Sequence, residues 1–105
     1  MKIKAVMCPA DREPYITWIS DTLENMQKIV GGFIEACATA ESAVVICNEE
    51  ECLMGLPENK SLPFGGFCGD CFICGAEGEN FTSLSEYDMA VLLMHAKRRW
   101  KKHEG

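Results

Sequence analysis

The sequence lacks both a long hydrophobic run and a hydrophobic leader. No apolar stretch approaches the roughly 20 residues that a membrane-spanning helix needs. Near the N-terminus, the apolar run that accompanies the first two lysines is also shorter than the core of a signal peptide. These absences exclude a membrane anchor of the helical kind and favour a cytoplasmic protein.

Histidine is scarce as well, with two among 105 residues, and the sequence shows no catalytic constellation. His95 lies among apolar residues of the last predicted helix, a position more typical of a packed or surface histidine than of a base that activates a cysteine. The sequence has no internal repeat and no low-complexity segment. We therefore expect a protein that is not an enzyme, and we assign no catalytic residue.

Basic residues are few outside the last nine positions. The chain has 16 acidic and 10 basic residues, for a net charge of −6. Residues 1–96 hold 15 acidic and 5 basic residues, a net charge of −10, whereas residues 97–105 hold 5 basic residues and one acidic, a net charge of +4. An acidic body disfavours binding to phosphate, and the basic end suits the negative C-terminus of a helix. We expect no nucleic-acid partner and no membrane partner.

Cysteine, by contrast, is abundant, with seven residues. In the absence of an export signal, reduced and buried thiols are expected. Cys68, Cys71 and Cys74 follow a C-x-x-C-x-x-C pattern, which is compatible with zinc. If the last two lie in a strand, however, their side chains point to opposite faces, because side chains three positions apart do so. We therefore expect no metal and no cofactor, and we keep zinc binding by these three cysteines as an alternative.

The stretch from position 21 to position 37 organises the predicted fold. Asp21 and Glu24 occupy the positions of a capping box at the start of a helix, and Gly31 with Gly32 ends that helix. A strand follows immediately. The apolar residues that share one face of the helix are Leu23, Met26, Ile29 and Val30.

A second helix is predicted at the C-terminal end, where Ser83 and Glu86 form another capping box. Its apolar spacing includes Leu84, Tyr87, Ala90, Val91, Met94 and Trp100. Strands are predicted at 2–7, 15–20, 33–37, 43–47 and 70–75, with a short candidate at 52–54. The fold predicted for residues 1–105 is a single small α+β domain, a mostly antiparallel sheet with two helices packed on one face. The other face would then be partly exposed, which favours a homodimer.

Several segments in order resemble one family. They are TLENMQKIVGGFIE, VVICNEE, GLPENK, and GDCFICG followed by FTSLSEYDM, and together they resemble the domain of unknown function family 3846 over nearly the whole chain. The most specific pieces lie at 29–34, 46–50 and 55–59. The resemblance implies a small cytosolic protein of bacteria, phages and mobile elements, and it carries over no catalytic residue.

Two irregular segments are the candidate binding regions. One is the acidic turn that follows the strand at 43–47. The other is the loop at 56–67, which is long enough to suggest a functional loop. The candidate ligand- or partner-binding residues are Asn48, Glu49, Glu50, Pro57, Asn59, Phe64, Gly65 and Gly66. Each segment also has a plain structural interpretation, since acidic turns are usually only solvated and apolar loop residues often pack on the core.

These features favour a non-enzymatic protein that binds another protein, and the resemblance implies that it belongs to a mobile element or phage, as an accessory or anti-defence factor. A small-ligand or nucleotide-binding module that uses the loop at 56–67 is the alternative. A zinc-binding domain is the third hypothesis.

Overall fold

An antiparallel sheet forms the centre of the molecule in the computed structural model, which describes residues 1–40, 43–50, 54–62 and 67–104. The elements follow the order β1 (Lys2–Cys8), β2 (Tyr15–Ser20), α1 (Leu23–Val30), β3 (Ile34–Ala40), β4 (Ala43–Asn48), β5 (Cys71–Glu77), β6 (Asn80–Thr82) and α2 (Glu86–Glu104). Five strands lie in the order β2-β1-β5-β4-β3. The short β6 pairs with the last three residues of β5, beyond the point where β1 pairs with that strand. The predicted α+β class is confirmed.

The two helices lie on opposite faces of the sheet, so the prediction that both pack on one face is wrong. Met26 of α1 packs in a cluster with Phe72 of β5, whereas Met89 of α2 packs in a cluster with Ile73, the next residue of β5. The inner strands are buried on both faces because their sequences are continuous apolar runs rather than alternating ones. We call the two sides the α1 face and the α2 face. A largely uncovered face, which motivated the homodimer, is therefore not present in the described structure.

The start of α1 differs from the prediction by one residue. Thr22, rather than Asp21, is the N-cap, and its Oγ1 accepts a hydrogen bond from the backbone N–H of Asn25 at 3.3 Å. Asp21 instead contacts the N-terminal ammonium group of Met1 at 3.3 Å. Met26 and Val30 of the predicted apolar face are buried, whereas Leu23, the first residue of the helix, is 57% exposed.

The end of α1 agrees with the prediction. Gly31 adopts a φ of 81°, and its N–H donates to the carbonyl of Gln27 at 2.8 Å. This left-handed conformation is unfavourable for residues with a Cβ. The glycine therefore turns the chain directly into β3.

The start of α2 also lies later than predicted. Ser85 Oγ accepts the N–H of Asp88 at 3.1 Å, so Ser85 takes the capping role assigned to Ser83. The hydroxyl of Ser83 accepts the N–H of Lys4 at 2.8 Å instead and joins β1 to the segment after β6.

The buried face of α2 shifts with its start. Met89 and Ala96 are buried on the sheet, while Tyr87 and Met94, predicted to face the core, are 77% and 42% exposed. A helical apolar pattern in the sequence fits more than one rotation of the helix, and in the structure α2 packs on the sheet through Met89 and Ala96.

The described sheet contains one strand, β6, that the sequence did not predict. β6 forms a hairpin with the last residues of β5. The candidate strand at 52–54 lies largely outside the described residues. None of the described helices is long and apolar enough to cross a membrane.

Candidate binding site

A cleft of about 440 Å³ opens where α1 ends. Its described lining comes from the loop after β1 (10–12), the last turn of α1 with Gly31 (28–31), residues 56 and 57, and the two residues that precede β5 (69 and 70). This volume lies in the range of small-molecule sites, roughly 300–1,000 Å³. Four segments that are distant in sequence therefore form one concave surface.

Hydrogen bonds within the loops hold the walls of this cleft. Asp70 Oδ1 accepts the N–H of Ala10 at 2.9 Å, and the N–H of Gly69 donates to the carbonyl of Pro57 at 2.6 Å. Gly69 has a φ of 76°, and a Cβ at this position would lie 2.8 Å from a methyl carbon of Leu56. The loop at 54–57 thus lies tightly against the start of β5.

The cleft carries charges of both signs. Arg12 Nε lies 3.7 Å from the carboxylate of the neighbouring Asp11, and Asp70 is engaged with Ala10. Lys28 is exposed on the last turn of α1 and makes no ion pair within the described part of the chain. A cation also suits this position because the C-terminus of a helix carries partial negative charge.

Asn48 connects the cleft to the acidic turn. Its side chain is buried, at 2% exposure, and its Nδ2 donates to the carbonyl of Val30 at 3.2 Å and contacts Met54 Sδ at 3.3 Å. Its Oδ1 accepts the N–H of Glu50 at 2.8 Å. A single amide therefore holds the end of α1, the acidic turn and the following loop together, and Asn48 supports the surface from below.

The surface above Asn48 combines acidic and apolar side chains. Glu49 and Glu50 are exposed, and beside them Phe33 is 67% and Met54 is 50% exposed. Backbone bonds join them, from the N–H of Glu49 to the carbonyl of Phe33 at 2.8 Å and from Met54 to Glu50 at 3.0 Å. We call these four residues the rim, and through Val30 the rim adjoins the cleft.

Asn59 is buried at 3% exposure and holds the loop in place. Its Nδ2 donates to the carbonyls of Cys8 and Gly69, both at 2.8 Å, and its Oδ1 accepts the N–H of Ser61 at 3.1 Å. Its predicted role in direct binding is therefore wrong, because the amide is fully engaged inside the protein. The predicted role of Asn48 in direct binding is wrong for the same reason, because its amide is also engaged inside the protein.

The other loop residues predicted to bind have separate outcomes. Pro57 is exposed and lines the cleft, and Glu49 and Glu50 belong to the rim. Phe64, Gly65 and Gly66 lie outside the described residues. The predicted acidic turn and the described start of the predicted loop are thus brought together at one end of the molecule.

Cys68, Cys71 and Cys74 do not converge. Cys71 belongs to the core of the α2 face and Cys74 to that of the α1 face, which confirms the predicted opposite orientation. Cys71 Sγ lies 3.6 Å from the carbonyl of Gly69. Burial raises the pKa of the Cys74 thiol to about 12, so this sulfur is a protonated core group at neutral pH.

Sequence reasoning missed the residues that complete this surface: Arg12, Lys28, Phe33, Met54, Gly69 and Asp70. A loop carrying Arg12 was predicted, but nothing in the sequence indicated that it lies beside the end of α1. Lys28 satisfies the ordinary charge preference of a helix end, so its position in a cleft had no separate signal. These residues are brought together by the sheet order, which is a long-range property.

A model of the family described as Domain of unknown function 3846 matches residues 1–98. The chain belongs to this family. No curated protein and no solved structure matches the chain. All described residues of the cleft and the rim fall within the part that the family model covers.

Proposed function

We propose that this member of the family is a non-enzymatic, cytoplasmic binding protein that recognises another protein through the rim and the adjoining cleft. The observation that carries the proposal is the meeting of a cleft, two exposed apolar side chains and two carboxylates at one end of the molecule. The role of accessory or anti-defence factor of a mobile element or phage is the part of the proposal that depends on the family resemblance.

The chemistry of the rim favours a partner segment that carries both basic and apolar residues. Aromatic and methionine side chains are enriched at protein interfaces, as Phe33 and Met54 would provide. Glu49 and Glu50 offer exposed carboxylates, and the net charge of −6 attracts a positively charged partner over a longer range. The acidic side chains are expected to govern the rate of association more than its final affinity.

The state of the buried thiols supports a binding role over a nucleophilic one. Burial raises the pKa of Cys8 to about 12, although the guanidinium of Arg99 opposes the shift. A thiol acts as a nucleophile in its ionised form. Cys8 and Cys74 are protonated at neutral pH and are suited to packing.

Charge reversal at the rim tests the proposal. The double variant Glu49→Lys with Glu50→Lys is compared with Glu77→Lys with Glu79→Lys, which makes the same change in charge at the far end of β5, where both glutamates are also exposed. Affinity capture from a host lysate identifies partners, and calorimetry with the purified partner measures affinity. We expect the rim variant to bind at least tenfold more weakly, since like charges across an interface cost several kcal/mol, and the control to bind normally.

Two results would count against this proposal. If no protein is retained by the wild-type chain, the proposed binding to another protein is rejected. If both charge reversals weaken binding equally, the effect is one of net charge rather than of the rim. Phe33→Ser, which removes an exposed aromatic ring, separates apolar contact from charge and is expected to increase the rate of dissociation.

A small ligand with an anionic group is the second candidate, because the volume of the cleft and Lys28 favour it. A thermal-shift screen with nucleotides tests this idea, since a ligand at one hundred times its Kd stabilises the folded state by about 2.7 kcal/mol. Lys28→Ala should abolish the shift, whereas Lys60→Ala, which changes an exposed lysine outside the described cleft lining, should leave it intact. A screen without any shift rejects this candidate.

A further inference from the structure

Three potential metal ligands lie together on β3 and β4, next to the end of this strand pair that carries Phe33 and Glu49 of the rim. Glu35, Cys37 and Cys47 each offer one ligand atom, and these atoms all lie within 4.8 Å of one another. Glu35 is the register partner of Cys47 across the two strands. Cys37 is two positions beyond Glu35 and therefore shares its face of the sheet. Strand pairing thus brings together residues whose spacing in the sequence matches no common metal-binding motif.

We propose that Glu35, Cys37 and Cys47 form a binding site for a thiophilic divalent cation, with zinc as the expected ion. Two thiolates and one carboxylate are common zinc ligands, and three protein ligands leave a fourth position for water or an exogenous ligand. Thiolates also select against magnesium and calcium, which prefer oxygen ligands. The proposal is independent of the protein-binding function and involves neither the rim nor the cleft.

The distances require only a small closure around the ion. With Zn–S bonds of about 2.3 Å, two sulfurs of a tetrahedral site lie about 3.8 Å apart. The ligand atoms lie within 4.8 Å of one another. Side-chain rotations that bring these atoms closer by about 1 Å therefore reach the spacing of a tetrahedral site. Strand pairing holds β3 and β4 in register around all three residues.

The burial of the three ligands places the site at the boundary of the core. Cys47 is 1% exposed and belongs to the core of the α2 face, Cys37 is half-buried, and Glu35 is exposed. A cation can therefore enter from the side of Glu35 and bind sulfur at the edge of the apolar core. The inner ligand is shielded from water, while the outer carboxylate stays accessible.

Binding has a defined proton balance. The Cys47 thiol lies 3.7 Å from the backbone carbonyl of Glu35, and coordination replaces its proton with the metal. Cys37 gives up its proton in the same way, so each zinc ion bound releases two protons to solvent when both thiols start protonated. Two thiolates, one carboxylate and Zn²⁺ together carry a net charge of −1.

Cobalt titration of the reduced, metal-free protein tests the site. Co²⁺ bound to thiolates gives a sulfur-to-metal charge-transfer band in the near ultraviolet, and added Zn²⁺ should remove that band by competition. Cys37→Ser should weaken zinc binding by on the order of a hundredfold and Glu35→Gln by about tenfold, since even outer-shell changes cost 10–100-fold. Cys68→Ser is the matched control, because Cys68 is also half-buried, and it should bind as the wild type does.

A stability measurement guards against misfolded variants. Zinc should raise the unfolding midpoint of the wild type and of Cys68→Ser but not of Cys37→Ser, whose midpoint without metal should stay close to that of the wild type. The absence of a thiolate band overturns the proposal. Binding that survives both Cys37→Ser and Glu35→Gln but is lost in Cys68→Ser also overturns it and assigns the metal to the C-x-x-C-x-x-C cysteines.

Discussion

The two faces of the sheet differ in what they bury. The α1 face is closed by an eight-residue helix over large apolar side chains such as Phe72 and Ile46. On the α2 face, a 19-residue helix packs over a core that includes three buried cysteines, Cys8, Cys47 and Cys71. Neighbouring residues of one strand thus take part in two separate cores.

The polar contacts also differ between the α1 face and the α2 face. Arg99 of α2 donates to the carbonyl of Ser61 at 3.2 Å, and the hydroxyl of Ser61 is buried without a partner among the described residues. The α1 face has its polar contacts at one end, where Asn48 holds the last turn of the helix. The α1 face thus holds the end of its helix beside the binding surface through Asn48, whereas the α2 face carries three of the four described core cysteines.

Truncation of Phe72 should have the largest effect. Phe72 is fully buried on the α1 face, and Phe72→Ala should lower the free energy of unfolding by about 4 kcal/mol, because large-to-small changes leave a cavity. Cys71→Ala, at the adjacent position of the α2 face, removes a single sulfur atom and should cost less than half as much. Denaturant unfolding measures both. Equal losses would show that the two cores contribute alike.

Removal of the Asn59 amide should come next. Asn59→Ala leaves two carbonyls and one N–H inside the protein without their partners. Unsatisfied buried groups cost about 1–3 kcal/mol each, and with partial access of water we expect a loss of roughly 3 kcal/mol. Asn48→Ala should cost less in stability but more in partner binding, since it releases the rim. If Asn59→Ala weakened binding at unchanged stability, its role would be direct contact after all.

The buried thiols make stability depend on alkaline pH. The pKa values of Cys8 and Cys74 are raised from 9.0 to about 12 in the folded protein. Between these values the unfolded thiols are ionised while the folded ones keep their protons. The folded state then binds more protons, so its stability is complete below pH 9 and falls as pH rises towards 12.

Cys74→Ala isolates this effect on the α1 face. The loss of unfolding free energy between neutral pH and about pH 10.5 should be smaller in the variant than in the wild type by about 1–2 kcal/mol, since each pH unit contributes about 1.4 kcal/mol per group. Cys8→Ala makes the same test on the α2 face. Identical pH profiles for all three proteins would refute the assignment to these thiols.

Much of the sheet could be predicted because its signals are local. The sequence of β2 predicted its bounds at 15–20 correctly, and the continuous apolar run of β4 indicated an inner strand. The pairing of helices with faces could not be predicted in this way. The continuous apolar run of β4 is typical of a strand covered on both faces, but it does not indicate which helix lies on which face.

The binding surface could be predicted only in part, and for a related reason. Asn48, Glu49 and Asn59 stood out as polar residues in irregular segments, but the sequence does not distinguish an amide that faces solvent from one that satisfies buried backbone groups. Both asparagines are of the second kind. Lys28 and Phe33 had ordinary helix-end and strand-start explanations, and only the tertiary arrangement places them at the cleft and the rim.

The N-cap of α1 offers the smallest of the expected effects and a direct test of local prediction. Thr22→Ala removes the side-chain acceptor of the Asn25 N–H and should cost about 1 kcal/mol, the usual value for a lost cap. Asp21→Ala removes only a surface contact with the N-terminal ammonium group, and such contacts contribute little. Denaturant unfolding of the two variants ranks them.

If Asp21→Ala proved the more costly, the capping assignment from the sequence would be restored and α1 would begin one residue earlier. Asn48 holds the last turn of α1 rather than its first turn. A weakened start of the helix should therefore leave the rim intact, and partner affinity should stay unchanged in both variants.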